Sequence, residues 1–139
     1  MDAGELDLAR IHMLYAMDTE KAPTDTESWL VKLDAALLAK ILRELRQALE
    51  ALYGERLVHL VLFGSQARGD AEPGSDIDVL VVLKGPENNM EETARVSDIV
   101  YDLSLQYNTV ISCIFVDSVR YDRGRGPLIR NVRREGIEV

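Results

Sequence analysis

Two short segments of this chain hold residue types that together can move a phosphate group. Gly64-Ser65 is followed, after ten residues, by Asp76-Ile77-Asp78, and the spacer contains Arg68, Gly69 and Ser75. On an extended strand, residues i and i+2 project to the same face, so the carboxylates of Asp76 and Asp78 stand about 6.5 to 7 Å apart at their backbones and can converge on shared cations. Carboxylate oxygens are hard ligands that suit Mg2+ or Mn2+, ions that keep coordination positions for water and for substrate phosphates. A glycine ahead of a serine lets the backbone approach a phosphate closely, and the serine adds a hydroxyl donor at a turn or helix start. The residue types therefore point Asp76 and Asp78 toward metal and Gly64 and Ser65 toward phosphate, with Arg68 and Ser75 as further phosphate-binding candidates in the spacer. Taken singly, an Asp-x-Asp at a strand end or a Gly-Ser in a turn is common; the information lies in their spacing between two apolar runs.

Those runs are the elements that must position the site. Leu57 to Phe63 (LVHLVLF) is too short for a helix and rich in strand formers, and Gly64 ends it. Asp76 to Leu83 (DIDVLVVL) and Thr109 to Val116 (TVISCIFV) read as two further buried strands. Between Leu30 and Tyr53, the residues Leu38, Ile41, Leu42, Leu45, Leu49 and Leu52 recur at helical spacing, with Gly54 where a cap belongs. A second long helix is expected over Met90 to Tyr107, and a short one over Pro127 to Glu135, with proline in its first turn. The order predicts an α+β (mixed α/β) domain over residues 29–139, a small mixed sheet with helices packed on one face.

Composition narrows the function. The chain has 139 residues and a net charge of -8, which disfavours wrapping duplex DNA. Residues 1–28 carry seven acidic and two basic side chains and read as an acidic N-terminal extension, a helix and then a polar linker. No apolar run approaches the roughly 20 residues that span a bilayer, and no export signal is visible, so the expected location is cytoplasmic. The single cysteine, Cys113, can form neither an internal disulfide nor a cysteine-rich metal site, and its apolar neighbours point to packing. His59 lacks a second ligand at metal spacing and reads as a sheet-face histidine. Six arginines between Arg120 and Arg134 make the C-terminal segment basic, most simply as a solvated helix face.

The Gly64-Ser65…Asp76-Ile77-Asp78 arrangement resembles the nucleotidyltransferase signature of the DNA polymerase beta superfamily, and in particular the minimal nucleotidyltransferases that pair with HEPN-type toxins. The resemblance covers residues 30–139. It implies a nucleotidyltransferase fold and Mg-dependent transfer of a nucleoside monophosphate, AMP from ATP, to an acceptor hydroxyl. In the resembling toxin-antitoxin pairs that acceptor is a tyrosine of the HEPN partner. Active members generally add a third carboxylate from a neighbouring strand. Here the resemblance aligns Ser112 with that position, while Asp117 could take it only in a different register, because strand alternation puts the two on opposite faces. Ser112 leaves a second function open: a nucleotide-binding antitoxin that occludes its partner with little or no catalysis. A resistance-type enzyme acting on aminoglycosides is a weaker third reading, since those usually carry a second domain.

Overall fold

The computed structural model describes residues 33–139; the helix and linker expected within residues 1–28 lie outside them. The first helix, α1 (Ala35–Tyr53), starts where the Asp34 carboxylate accepts a hydrogen bond from the Leu37 N–H at 2.7 Å, which satisfies one of the free donors of the first turn. It ends at Gly54, whose N–H donates to the Glu50 carbonyl. The expected apolar stripe is its buried face: Leu38, Ile41, Leu42, Leu45 and Leu49 are fully buried. Each stabilises the fold by about 1.5–3 kcal/mol relative to exposure. Leu52, counted in the same stripe from sequence, is instead exposed at the helix end.

A single 3-10 turn (Gly54–Arg56) leads into β1 (Leu57–Phe63), followed by the four-residue α2 (Ser65–Arg68) and β2 (Ile77–Leu83). Helix α3 (Asn89–Tyr107) is capped by Asn88, whose side chain accepts from the N–H groups of Met90 and Glu91. The Asn88-Asn89 pair, which sequence reads as a chain break, is thus the helix start. Then come β3 (Ile111–Asp117), α4 (Ser118–Arg123), α5 (Pro127–Glu135) and the two-residue β4 (Ile137–Glu138). Neither α4 nor β4 has a sequence pattern long enough to announce itself.

The sheet order is β3-β2-β1-β4. Strands β1 and β2 pair antiparallel, β4 pairs antiparallel with β1, and β3 returns parallel to β2 after the α3 crossover. Alternation divides the core. Leu60, Leu62, Val79, Val81, Leu83, Ile111 and Phe115 face α1 and α3, whereas Val61, Leu80, Val82 and Val116 pack with Ile129 and Val132 of α5. The two long helices share one face as expected, and α5 adds cover on the other. Buried Glu92 joins α3 to the start of β1: it accepts from Tyr53 Oη (3.0 Å), Arg56 Nη1 (3.0 Å) and Arg95 Nη1 (2.8 Å). A buried carboxylate requires such partners, and burial beside it raises the Tyr53 hydroxyl pKa.

Candidate active site

The β1–β2 register sets Phe63 opposite Asp78, so Gly64 is the first residue beyond the pair. Gly64 has φ +74°, and a Cβ there would stand 2.6 Å from Asp78 Oδ2. Only glycine combines that backbone conformation with that approach. The chain then turns into α2, ended by Gly69 in the left-handed region with its N–H donated to the Ser65 carbonyl. The Ser65 hydroxyl is committed to no partner among the described residues.

Asp76 precedes β2 and is exposed; Asp78 is its second residue and is half-buried. The Asp78 pKa is raised, first by burial, then by the neighbouring charge of Asp76, against an opposing pull from Arg68. These influences put the three side chains in one electrostatic neighbourhood. Among the described residues, neither carboxylate accepts a hydrogen bond or meets a cation at ion-pair distance. Arg68 itself donates from Nε to Asp70 Oδ2 (3.2 Å) and from Nη1 to Glu135 Oε1 (3.3 Å), which ties α2 to α5. Glu135, far away in sequence, carried no signal of this role.

Ser75 sits in the loop before β2. Its Oγ accepts from the Glu72 N–H at 2.9 Å, its own N–H donates to the Glu72 carbonyl at 3.0 Å, and its carbonyl accepts from Gln66 Nε2 at 3.4 Å. These contacts close a turn that delivers Asp76 to the start of the strand.

The parallel pairing of β2 with β3 decides between Ser112 and Asp117. Asp78 is in register with Ser112, and Leu83 with Asp117. Asp117 therefore lies five residues away, about 16 Å along the strand. Its Oδ1 is engaged in accepting the N–H groups of Val119 (2.7 Å) and Arg120 (3.3 Å) as the cap of α4. The alternative placement of Asp117 at the third position is thus corrected: the fold brings Ser112 beside Asp78 and leaves Asp117 at the far end. Among the described residues no group of three or more His, Cys, Asp or Glu side chains is arranged to hold a metal ion. The available donor set is Asp76 and Asp78, two hard carboxylates, which is a donor set that Mg2+ or Mn2+ accepts with water and phosphate oxygens as its other ligands.

Beside the site, a cleft of about 500 Å³ runs between α3 and the edge of β3, reaching from Asp76 and Ser112 to Val96, Val100, Ile111 and Cys113. Sequence reasoning missed it, because its walls are ordinary helix and strand residues until the crossover brings them together. Cys113 has its thiol pKa pushed up to about 12 by burial, in keeping with a packing role. His59 meets Glu138 at 2.7 Å and the Tyr121 ring, away from Asp76 and Asp78. No helix among the described residues is long and apolar enough to cross a membrane.

Residues 42–136 match the nucleotidyltransferase domain family. Three proteins of Methanocaldococcus jannaschii, each named a putative protein adenylyltransferase, are similar in sequence. One is 36% identical over 61% of this chain and 58% of its own length, so the match spans under two thirds of that relative. The second is 29% identical over 73% of this chain and 98% of its own length, and the third 34% identical over 70% and 92%. A solved structure of a putative nucleotidyltransferase from Sulfolobus solfataricus aligns with TM-score 0.43 and 29% identity over 62% of this chain and 78% of that one. The glycine pressed on a strand carboxylate and the match over most of the chain lead to one assignment: this protein belongs to the family of nucleotidyltransferase domains.

Proposed function

We propose that the protein transfers a nucleoside monophosphate, AMP from ATP, to a hydroxyl of a partner protein, with Mg2+ or Mn2+ held by Asp76 and Asp78. The observation that supports this most is the half-buried Asp78 carboxylate lying against Gly64 with no partner among the described residues. Partial desolvation penalises such a charge, and a cation with its phosphate ligands offsets that penalty. When bound, the ion supplies charge neutralisation at the phosphates and a more acidic acceptor hydroxyl. The backbone at Gly64 and the Ser65 hydroxyl hold the triphosphate, and Arg68 exchanges part of its pairing with Asp70 and Glu135 for phosphate oxygens. In the transfer, the acceptor oxygen forms a bond to the α-phosphorus. The bond from that phosphorus to the α–β bridging oxygen breaks, and the electron pair leaves with pyrophosphate. The acceptor proton goes to solvent, because β3 presents Ser112 and no carboxylate there.

The names of the relatives support a protein acceptor, and the resemblance makes a HEPN-type protein in the cytoplasm the partner to try. Ser112 favours one second reading, a nucleotide-binding antitoxin that neutralises its partner by occlusion. The test is Mg2+-dependent binding of a nonhydrolysable ATP analogue, followed by transfer of label from ATP to a co-purified HEPN partner. Metal-dependent binding with labelled partner supports the enzyme; binding and partner neutralisation without label support occlusion. Absence of nucleotide binding overturns both.

A further inference from the structure

We infer that Gln66 is a positioning residue that holds Asp76 in place for the shared cation, and this rests on the transfer reading above. The two carboxylates are not fixed equally. Asp78 lies inside β2, in register with Phe63 on one side and Ser112 on the other, so the ladder sets its backbone from both edges. Asp76 precedes the strand, is exposed, and has no side-chain partner among the described residues. Residues i and i+2 share a face only where the backbone between them is extended. Contacts outside the ladder must hold Asp76 that way.

Two peptide groups meet at the Asp76 Cα, and each is tied to a different element. The N–H of the following peptide, on Ile77, donates to the Val110 carbonyl at 2.8 Å. The carbonyl of the preceding peptide, on Ser75, accepts from Gln66 Nε2 at 3.4 Å. Holding both peptide planes holds φ and ψ between them, and with these the direction of the Asp76 Cβ. The Val110 contact is backbone and comes with the sheet. The Gln66 contact depends on one side chain.

The loop ahead of Ser75 does not supply that hold. Glu72-Pro73-Gly74-Ser75 is a turn closed by the Ser75 N–H on the Glu72 carbonyl at 3.0 Å, with Pro73 second and Gly74 third at φ +82°, the arrangement a type II turn uses. The Ser75 Oγ adds its contact to the Glu72 N–H. These bonds stay inside the turn and give it a shape, not an orientation toward β2. Gln66 reaches it from α2, where the residue is 3% exposed between Ser65 and buried Ala67. A buried amide is costly unless it is bonded, and an apolar side chain would pack there without that cost. Helix α2 is itself pinned by the Ala67 and Arg68 N–H groups, which donate to the Gly64 carbonyl at 3.1 and 3.0 Å. Through Gln66 the phosphate side of the site braces the metal side.

Gln66→Met keeps an unbranched side chain of similar length and removes the donor; Gln66→Leu is a second apolar form. Binding of Mn2+ to the full chain, without nucleotide, is read by electron paramagnetic resonance, and folding by thermal melting. Both variants should melt cooperatively and bind the ion at least fivefold more weakly than the parent. If neither melts cooperatively, Gln66→Asn, whose amide is one methylene short, is read for the same loss. In an Asp76→Asn background the substitution at Gln66 should change Mn2+ affinity less than twofold, because its effect runs through Asp76. With ATP and the partner, the Mg2+ concentration for half-maximal transfer should rise at least fivefold, while the rate at saturating Mg2+ falls less than threefold. Parent-like Mn2+ affinity in the folded variants, or an undiminished loss in the Asp76→Asn background, overturns the inference. So does a lower saturated rate with no shift in the Mg2+ requirement. A parent that binds Mn2+ and transfers, beside variants that match it, removes the role of Gln66 alone; a parent that neither binds the ion nor transfers removes the transfer reading first.

Discussion

The two ends of the β2–β3 pair are built from the same parallel ladder, yet an aspartate does opposite work at each. At one end Asp78 stands across from Ser112, half-buried, with Gly64 against it and no hydrogen-bond donor or cation in place among the described residues. At the other end Asp117 stands across from Leu83 and accepts two backbone N–H groups that begin α4. A carboxylate satisfied by its own backbone is part of the architecture; one left without a partner among the described residues beside a glycine has its oxygens open to a ligand. The difference shows that an acidic residue at a strand end carries no function by itself. What surrounds its oxygens decides.

Substitutions should separate the two ends sharply. The largest effect is expected for Gly64→Val, which places branched carbon where Asp78 Oδ2 already lies and forces a β-branched residue into positive φ. Nucleotide affinity should fall at least a hundredfold and stability by about 1–3 kcal/mol, checked by calorimetric titration and thermal melting. Next, Ser112→Asp installs a carboxylate on β3 in register with Asp78. Transfer should rise tenfold or more through general-base assistance, whereas the metal-free protein should melt lower because like charges then face each other; a rate assay and a melt with and without Mg2+ read both signs. At the other end, Asp117→Ala removes a helix cap and should cost about 1 kcal/mol of stability, with the transfer rate of the folded protein unchanged. Smallest is Ser65→Ala, expected to weaken the ATP analogue by about 0.5–1.5 kcal/mol, the net value of one hydrogen bond, with the melting point held.

Much of this was legible because local rules carried it. The stripe Leu38, Ile41, Leu42, Leu45, Leu49 announced α1, and three apolar runs bounded by glycine, proline or asparagine announced β1, β2 and β3. Gly64, Ser65, Asp76 and Asp78 stand out from residue type and spacing as candidates, since all four fall within one strand-turn-strand unit. Register was legible only through the resemblance, which put Ser112 at the third position. Residue type alone does not separate Ser112 from Asp117, both polar residues of one strand, because the pairing with β2 is fixed by the crossover through α3. The Arg68–Glu135 pair and the cleft beside β3 were hidden for the same reason, because each joins segments distant in sequence. Ser75 illustrates a subtler point: its Oγ accepts from the Glu72 N–H and closes the turn, which leaves the hydroxyl proton open to a ligand, so closing a turn and binding phosphate are not alternatives.

The most direct test compares Asp78→Asn with Asp117→Asn in one assay, Mg2+-dependent binding of the ATP analogue followed by transfer of labelled AMP to the partner. Asparagine keeps the shape of each side chain and remains a good helix cap, so both variants should fold, and Asp78→Asn should melt at or above the parent temperature because a desolvated charge beside Asp76 is gone. Asp78→Asn should lose metal-dependent nucleotide binding and transfer by a hundredfold or more, while Asp117→Asn retains both within about twofold, as expected for a residue whose work is purely structural. Equal activity in the two variants, or loss in Asp117→Asn alone, would contradict the assignment of chemistry to the Gly64–Asp78 end of the sheet.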